Sequence, residues 1–243
     1  MGLSWPYPML ENPVGNLAAE ARRLASAWRR GGPGLAARVA LDRLCDAALE
    51  WRLRIRSGGL VPIESLVAEW HGCHDYYPSS IRAFSRVLRD LRITPDDVFV
   101  DYGSGMGRAI VIAARFPFRA LIGVETSDRL HRAAQANVGR ALPDADRRRI
   151  RLLHCDARRF RLPGSASVLY FYNPFHGDIL RAVFADIERS LRQHPRRLRI
   201  VFNNPAHFRA IERDYGWLRR SREYAFEYPI AVYETPGCAA PRT

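Results

Sequence analysis

The chain has 243 residues, a formal net charge of +13 and 47% hydrophobic residues, which is enough for a sizeable core and excludes a disordered polyelectrolyte. No apolar run approaches the ~20 residues needed to cross a bilayer. Met1-Gly-Leu-Ser-Trp-Pro lacks the charged start and apolar core of a secretory leader, so a cytoplasmic protein is expected. All 38 basic residues are arginine, scattered along the chain without the interleaved aromatics of a single-strand-binding platform, which reads as dispersed solvated charge. Cys45, Cys73, Cys155 and Cys238 form no Cys-x-x-Cys pair, and His71-Gly-Cys73-His74 has no second half at ligand spacing; no metal site is expected.

In chain order, Leu17, Ala21, Leu24 and Trp28 recur at helical spacing until Gly31-Gly-Pro-Gly34 breaks the pattern. A second helical segment carries Leu35, Val39, Leu41, Leu44, Ala48 and Leu49 on a broad apolar stripe. With Arg22, Arg23, Arg29 and Arg30, the first segment has the makings of a membrane-surface helix; packing against the main domain or a second subunit is the preferred reading. The pattern changes near Gly58-Gly59, giving a helical extension over residues 1–60 and a second domain over 61–243. Ser80 caps a helix over 81–91, and strands follow at 98–101, 120–125, 150–154, 168–172 and 198–202. Helices are expected between them at 108–115, 127–140 and 179–191, with a short one at 206–211. Residues 217–223 and 224–233 read as a closing antiparallel pair, with Pro229 at an edge or bulge. The expected fold is α/β: a doubly wound, mostly parallel seven-strand sheet with an antiparallel C-terminal strand, plus N-terminal helices.

The first strand ends in Asp101-Tyr-Gly-Ser-Gly-Met-Gly107. Glycines suit a sharp turn whose backbone must approach a ligand closely. A dinucleotide fingerprint would place its third glycine at position 108, which is Arg108, so the loop departs from the nicotinamide pattern. It resembles instead the first motif of the class I S-adenosylmethionine-dependent methyltransferases, over roughly residues 75 to 235. The resemblance implies that Asp101, Gly103, Ser104, Gly105 and Gly107 form the cofactor loop. It further implies that Glu125 holds both ribose hydroxyls, that Asp156 and Ala157 hold the adenine, and that Asn173 faces the methyl donor.

Asn173-Pro-Phe-His176 is similar to the Asn/Asp-Pro-Pro-Tyr/Phe motif of amino-group methyltransferases, with one proline missing and a histidine added. Asn173 is the expected orienting group, Phe175 the expected packing surface for substrate, and His176 a helix-start residue or a general base. Asp75-Tyr-Tyr-Pro-Ser-Ser80 resembles the segment ahead of the first motif in the nucleosomal histone-lysine methyltransferases of this fold and their small protein-lysine relatives. That likeness implies a loop closing on the methionine end of the cofactor, Tyr76 toward the cofactor and Tyr77 toward the substrate and the chemistry. The expected reaction is methylation of an amino nitrogen, or else a hydroxyl, of a small molecule. The alternatives are a protein-lysine or RNA/DNA methyltransferase, and a non-catalytic cofactor-binding module at a membrane.

Overall fold

The computed structural model describes residues 13–58, 73 and 76–236, with side chains from residue 21 onward; the Leu17 side chain and residues Gly59, His71, His74, Asp75 and Cys238 lie outside these. Helix α1 runs Pro13–Leu53 and kinks where the sequence predicts a break: Gly32 takes φ +66°, and Pro33 opens the second arm, where its missing N–H costs nothing. Helix α2 (Ile81–Asp90) starts on Ser80, whose hydroxyl accepts from Ala83 N at 3.3 Å.

Strands β1 (Val98–Tyr102), β2 (Ala120–Glu125), β3 (Ile150–His154), β4 (Val168–Tyr172), β5 (Arg199–Asn203), β6 (Arg219–Tyr224) and β7 (Ile230–Glu234) form one sheet in the order β3-β2-β1-β4-β5-β7-β6. β7 alone runs against the others. The expected seven-strand architecture is thus present. β1 is buried along its whole length, as a central parallel strand covered on both faces must be.

Helices α3 (Arg108–Ala113), α4 (Asp128–Ala141), α6 (Gly177–Gln193) and the short α5 (Asp144–Arg147) and α7 (Ala206–Arg209) complete the connections. Phe171, Phe184, Phe202 and Phe208 pack one face of the sheet, and Phe84, Phe99, Ile110 and Tyr170 the other. Helical and strand ends shift by a residue or two from the sequence reading, except that the final pair is shorter than expected. Pro229 directly precedes β7, and the register shift falls at Arg220/Arg222 rather than at the proline. β6 exposes Arg219, Arg220 and Arg222 along the sheet edge, charges that oppose edge-to-edge pairing.

The packing of α1 on the main domain uses only part of its apolar stripe. Ala27 and Val39 are buried, but Trp28 is 59%, Leu41 53%, Leu44 70% and Trp51 86% exposed, so much of the apolar stripe faces away from the domain. What faces inward is partly apolar, with Val39 buried and Leu49 and Leu53 packed against the core, and partly acidic. Asp42 pairs with Arg82 at 2.8 Å, Asp46 accepts from Ile81 N at 2.9 Å, and Glu50 pairs with Arg108 at 2.6 Å.

At the opposite end of the sheet from the strand carboxyl ends, Arg199 donates to Leu91 O at 2.8 Å and pairs with Asp97, which also accepts from Ser167 Oγ at 2.7 Å. Both charges are largely buried, so removing one leaves the other uncompensated. Arg199→Met is expected to lower stability by about 3 kcal/mol in urea unfolding; a change within error would show that the pair is solvated.

Candidate active site

The chain passes from β1 to β2 and β3 on one side and to β4 and β5 on the other, so the switch point lies between β1 and β4. A cleft of about 250 Å³ opens over the carboxyl ends there. Gly103 and Ser104 both donate their N–H to Val124 O, at 2.9 and 3.0 Å, which folds the loop back onto β2. Gly103 (φ +74°) and Gly105 (φ +54°) are in the left-handed region, and the space beside them is taken. A Cβ on Gly103 would meet Pro174 at 2.5 Å, and one on Gly105 would meet the Tyr76 ring at 2.3 Å. The glycine loop is therefore covered by the two other segments the sequence singles out.

Glu125 ends β2 with both carboxylate oxygens engaged: Gly105 N donates to one and Ser127 N to the other, each at 2.8 Å. Asp101 and Glu125 are 2% and 7% exposed. Burial pushes the Asp101 carboxyl well above the ordinary range, with the Glu125 charge adding to it, and burial also raises Glu125 against the backbone donors that oppose it. Asp156 follows β3 and is held by Arg158, whose side chain donates to both of its oxygens (2.6 Å at the shortest) and keeps its pKa below the usual value. Ala157, Tyr77, Ser104 and Phe175 also line the cleft.

The loop before α2 and the segment after β4 meet through an antiparallel bridge between Cys73 and Phe175. Tyr76 is held by its hydroxyl, which donates to Ser57 O at 2.8 Å, and Arg23 of α1 lies over the Tyr77 ring at 5.4 Å. Not every expected residue faces the cleft. Gly107 (φ +78°) opens α3, and its Cα faces Ala134 of α4. Asn173 takes φ +43° at the turn, and the cleft wall there is Tyr172, Pro174 and Phe175. His176 stands beyond Phe175 and stacks on His207 at 5.0 Å.

Some participants were not anticipated. Tyr170 lines the cleft floor, with Ser79 Oγ 2.8 Å from its hydroxyl and Asn203 donating to it at 3.1 Å. His207 closes a second Asn-Pro-x-His run, Asn204 to His207, that repeats Asn173 to His176 one strand later; Asn204 shares the positive φ at +57°. Partial burial first, and His176 second, hold His207 below its ordinary range. Arg108 is 3% exposed and unites Glu50, Asp46, Ser57 Oγ (2.9 Å) and Ser79 O (3.1 Å).

A buried carboxyl whose folded pKa is raised binds its proton more tightly folded than unfolded. Its unfavourable contribution is absent below the ordinary carboxyl pKa and complete above the folded one. Asp101→Asn is expected to raise the melting temperature of the unliganded protein at pH 7 by roughly 3 °C, and to flatten the fall in stability as pH rises above about 4. A lower melting temperature would mean that the Asp101 charge is compensated.

The chain matches the model of the family described as histone methylation protein DOT1 over residues 76–143. A protein-lysine N-methyltransferase of Saccharolobus islandicus (strain REY15A) is 36% identical over 64 residues, which is 26% of this chain and 40% of that protein's own length. Among solved structures, an RNA methyltransferase from Salinibacter ruber in complex with S-adenosyl-L-homocysteine shares 17% identity across 66% of this chain and 94% of its own, with a TM-score of 0.48. A SAM-dependent methyltransferase from Aquifex aeolicus shares 14% across 65% and 98%, with a TM-score of 0.49. By its sheet order and by the match over residues 76–143, the chain carries the class I, Rossmann-like S-adenosylmethionine-dependent methyltransferase fold.

Proposed function

We propose that the chain is an S-adenosylmethionine-dependent methyltransferase acting on an amino nitrogen, the side-chain amine of a protein lysine. The observation that carries the reading is the gathering of Gly103, Gly105, Glu125 and Asp156, from three successive strand ends, around one cleft that Tyr76, Tyr77 and Phe175 wall on its far side. The donor set fits the cofactor. Glycine backbone leaves room for a close approach, a buried carboxylate suits a diol, and a second carboxylate after β3 suits an exocyclic amine. When bound, S-adenosylmethionine supplies an activated methyl group.

The chain's own residues would do the rest. Asn173 sets the turn that puts Pro174 and Phe175 in the cleft wall; the carbonyls of that turn would accept hydrogen bonds from the acceptor nitrogen and direct its lone pair, while Tyr76 and Phe175 exclude water. A lysine acceptor is favoured because residues 76–143, from Tyr76 through the glycine loop to α4, match the histone methylation family, and because a protein-lysine N-methyltransferase matches 64 residues of the chain. A small-molecule amine is the second reading, favoured by the way Arg23, Tyr77, Tyr172 and Tyr228 crowd together beside the cleft.

Glu125→Ala is expected to abolish the thermal stabilisation given by S-adenosylhomocysteine, about 2.7 kcal/mol for the wild type at a hundredfold excess over Kd. Asn173→Ala should keep that stabilisation and lose at least about a hundredfold in kcat. With methyl-labelled cofactor, label is expected in methyl-lysine after hydrolysis of protein substrates. Transfer only to free amines would establish the second reading, and transfer to oxygen would refute amino methylation.

A further inference from the structure

The second arm of α1 is apolar on both sides: Val39, Leu49 and Leu53 face the core, and a second apolar set faces away from it. Its inward face carries Asp42, Asp46 and Glu50, which pair with Arg82 and Arg108, whereas its outward face carries Ala37, Leu41, Leu44, Ala48 and Trp51. These five recur at spacings of four, three, four and three residues and so form one continuous stripe. All five are exposed, Trp51 at 86% and Leu44 at 70%. Among the described residues, the domain holds this arm through the opposite face, so packing there does not account for them.

The charge around the stripe is of one sign. From residue 21 to 56 every exposed charged side chain is an arginine, including Arg38, Arg52 and Arg54 beside the stripe. Arg38 also lines a groove of about 590 Å³ between α1 and α2, together with Arg82, Arg86, Arg89 and Arg115. The one carboxylate lining that groove, Asp42, is already paired with Arg82. A second copy of the chain would bring these arginines against one another, and a purely nucleic-acid ligand would leave the leucines and the indole in water. Apolar side chains with an indole in the interface, flanked by arginines that meet anionic headgroups, is the composition of a helix lying on a bilayer. No helix among the described residues is long and apolar enough to cross one.

We infer that the outward face of α1 from Ala37 to Trp51, with the arginine groove beside it, docks on an anionic bilayer surface. The contact would leave the cleft free, because Asp46, Glu50 and Ser57, which brace Arg108 and Tyr76, lie on the inward side.

The test is flotation of the full chain with vesicles of phosphatidylcholine alone, and with vesicles of equal parts phosphatidylcholine and phosphatidylglycerol. Binding is expected only to the anionic vesicles and should weaken steeply with salt. Leu44→Glu with Trp51→Glu should lower partitioning by at least about tenfold, and so should Arg38→Glu with Arg89→Glu and Arg115→Glu. Both variants should keep the wild-type melting temperature and its shift with S-adenosylhomocysteine, so that loss of lipid binding is separable from failure of the active-site reading. Equal binding to neutral vesicles, no flotation, or wild-type flotation by both variants would overturn the inference. So would a dimer that only the first variant dissolves, or duplex RNA binding without flotation.

Discussion

The buried guanidinium of Arg108 is the constraint on which the arrangement of the site depends. It sits at the first position of α3, directly after the glycine loop, and reaches across to Glu50 at 2.6 Å, Asp46, Ser57 and the backbone of Ser79. An isolated charge at 3% exposure would be prohibitively costly, so the arginine and the acids of α1 require one another. Through Ser57, whose carbonyl accepts from Tyr76, and through Ser79, whose hydroxyl meets Tyr170, the same cluster positions the tyrosine loop and the cleft floor. The helical extension therefore braces the residues that wall the cleft without lining it itself.

That arrangement explains two features that would otherwise conflict with simple packing rules. Asp101 and Glu125 both stay buried although the Glu125 charge adds to the cost that burial puts on ionising Asp101. Glu125 is compensated by backbone N–H groups that the glycine loop and the start of α4 direct at it. The strained turns at Asn173 and Asn204, with φ of +43° and +57°, fall at the ends of β4 and β5, at the same end of the sheet as the glycine loop. Strain of this kind persists where surrounding structure over-determines it, and here it turns Pro174 onto Gly103 and brings His176 onto His207.

Most of the sheet is legible in the sequence because each of β1 to β5 is a short, mainly apolar run closed by a glycine, a carboxylate or an asparagine. Those closing residues mark the carboxyl ends, where an open α/β sheet places its site. Less legible is which way a helix faces. The second arm of α1 has apolar residues on nearly every turn, and the natural inference sends them all inward; Val39, Leu49 and Leu53 do face the core, but three acids share that side because Arg108 and Arg82 meet them there, some sixty and forty residues on in the chain. Arg108 itself registers in the sequence only as a missing glycine. His207 had a readable signal, the repeated Asn-Pro-x-His, but a repeat acquires meaning only when β4 and β5 are known to be neighbours. The inward turn of Gly107 onto Ala134 likewise depends on where α4 lies.

The central claim is that this cleft holds S-adenosylmethionine and not a nicotinamide dinucleotide. Titration calorimetry of the full chain with S-adenosylmethionine, S-adenosylhomocysteine and NAD tests it most directly. The account predicts saturable one-to-one heats with the first two and none with NAD. Heat with NAD alone, or with none of the three, would contradict it.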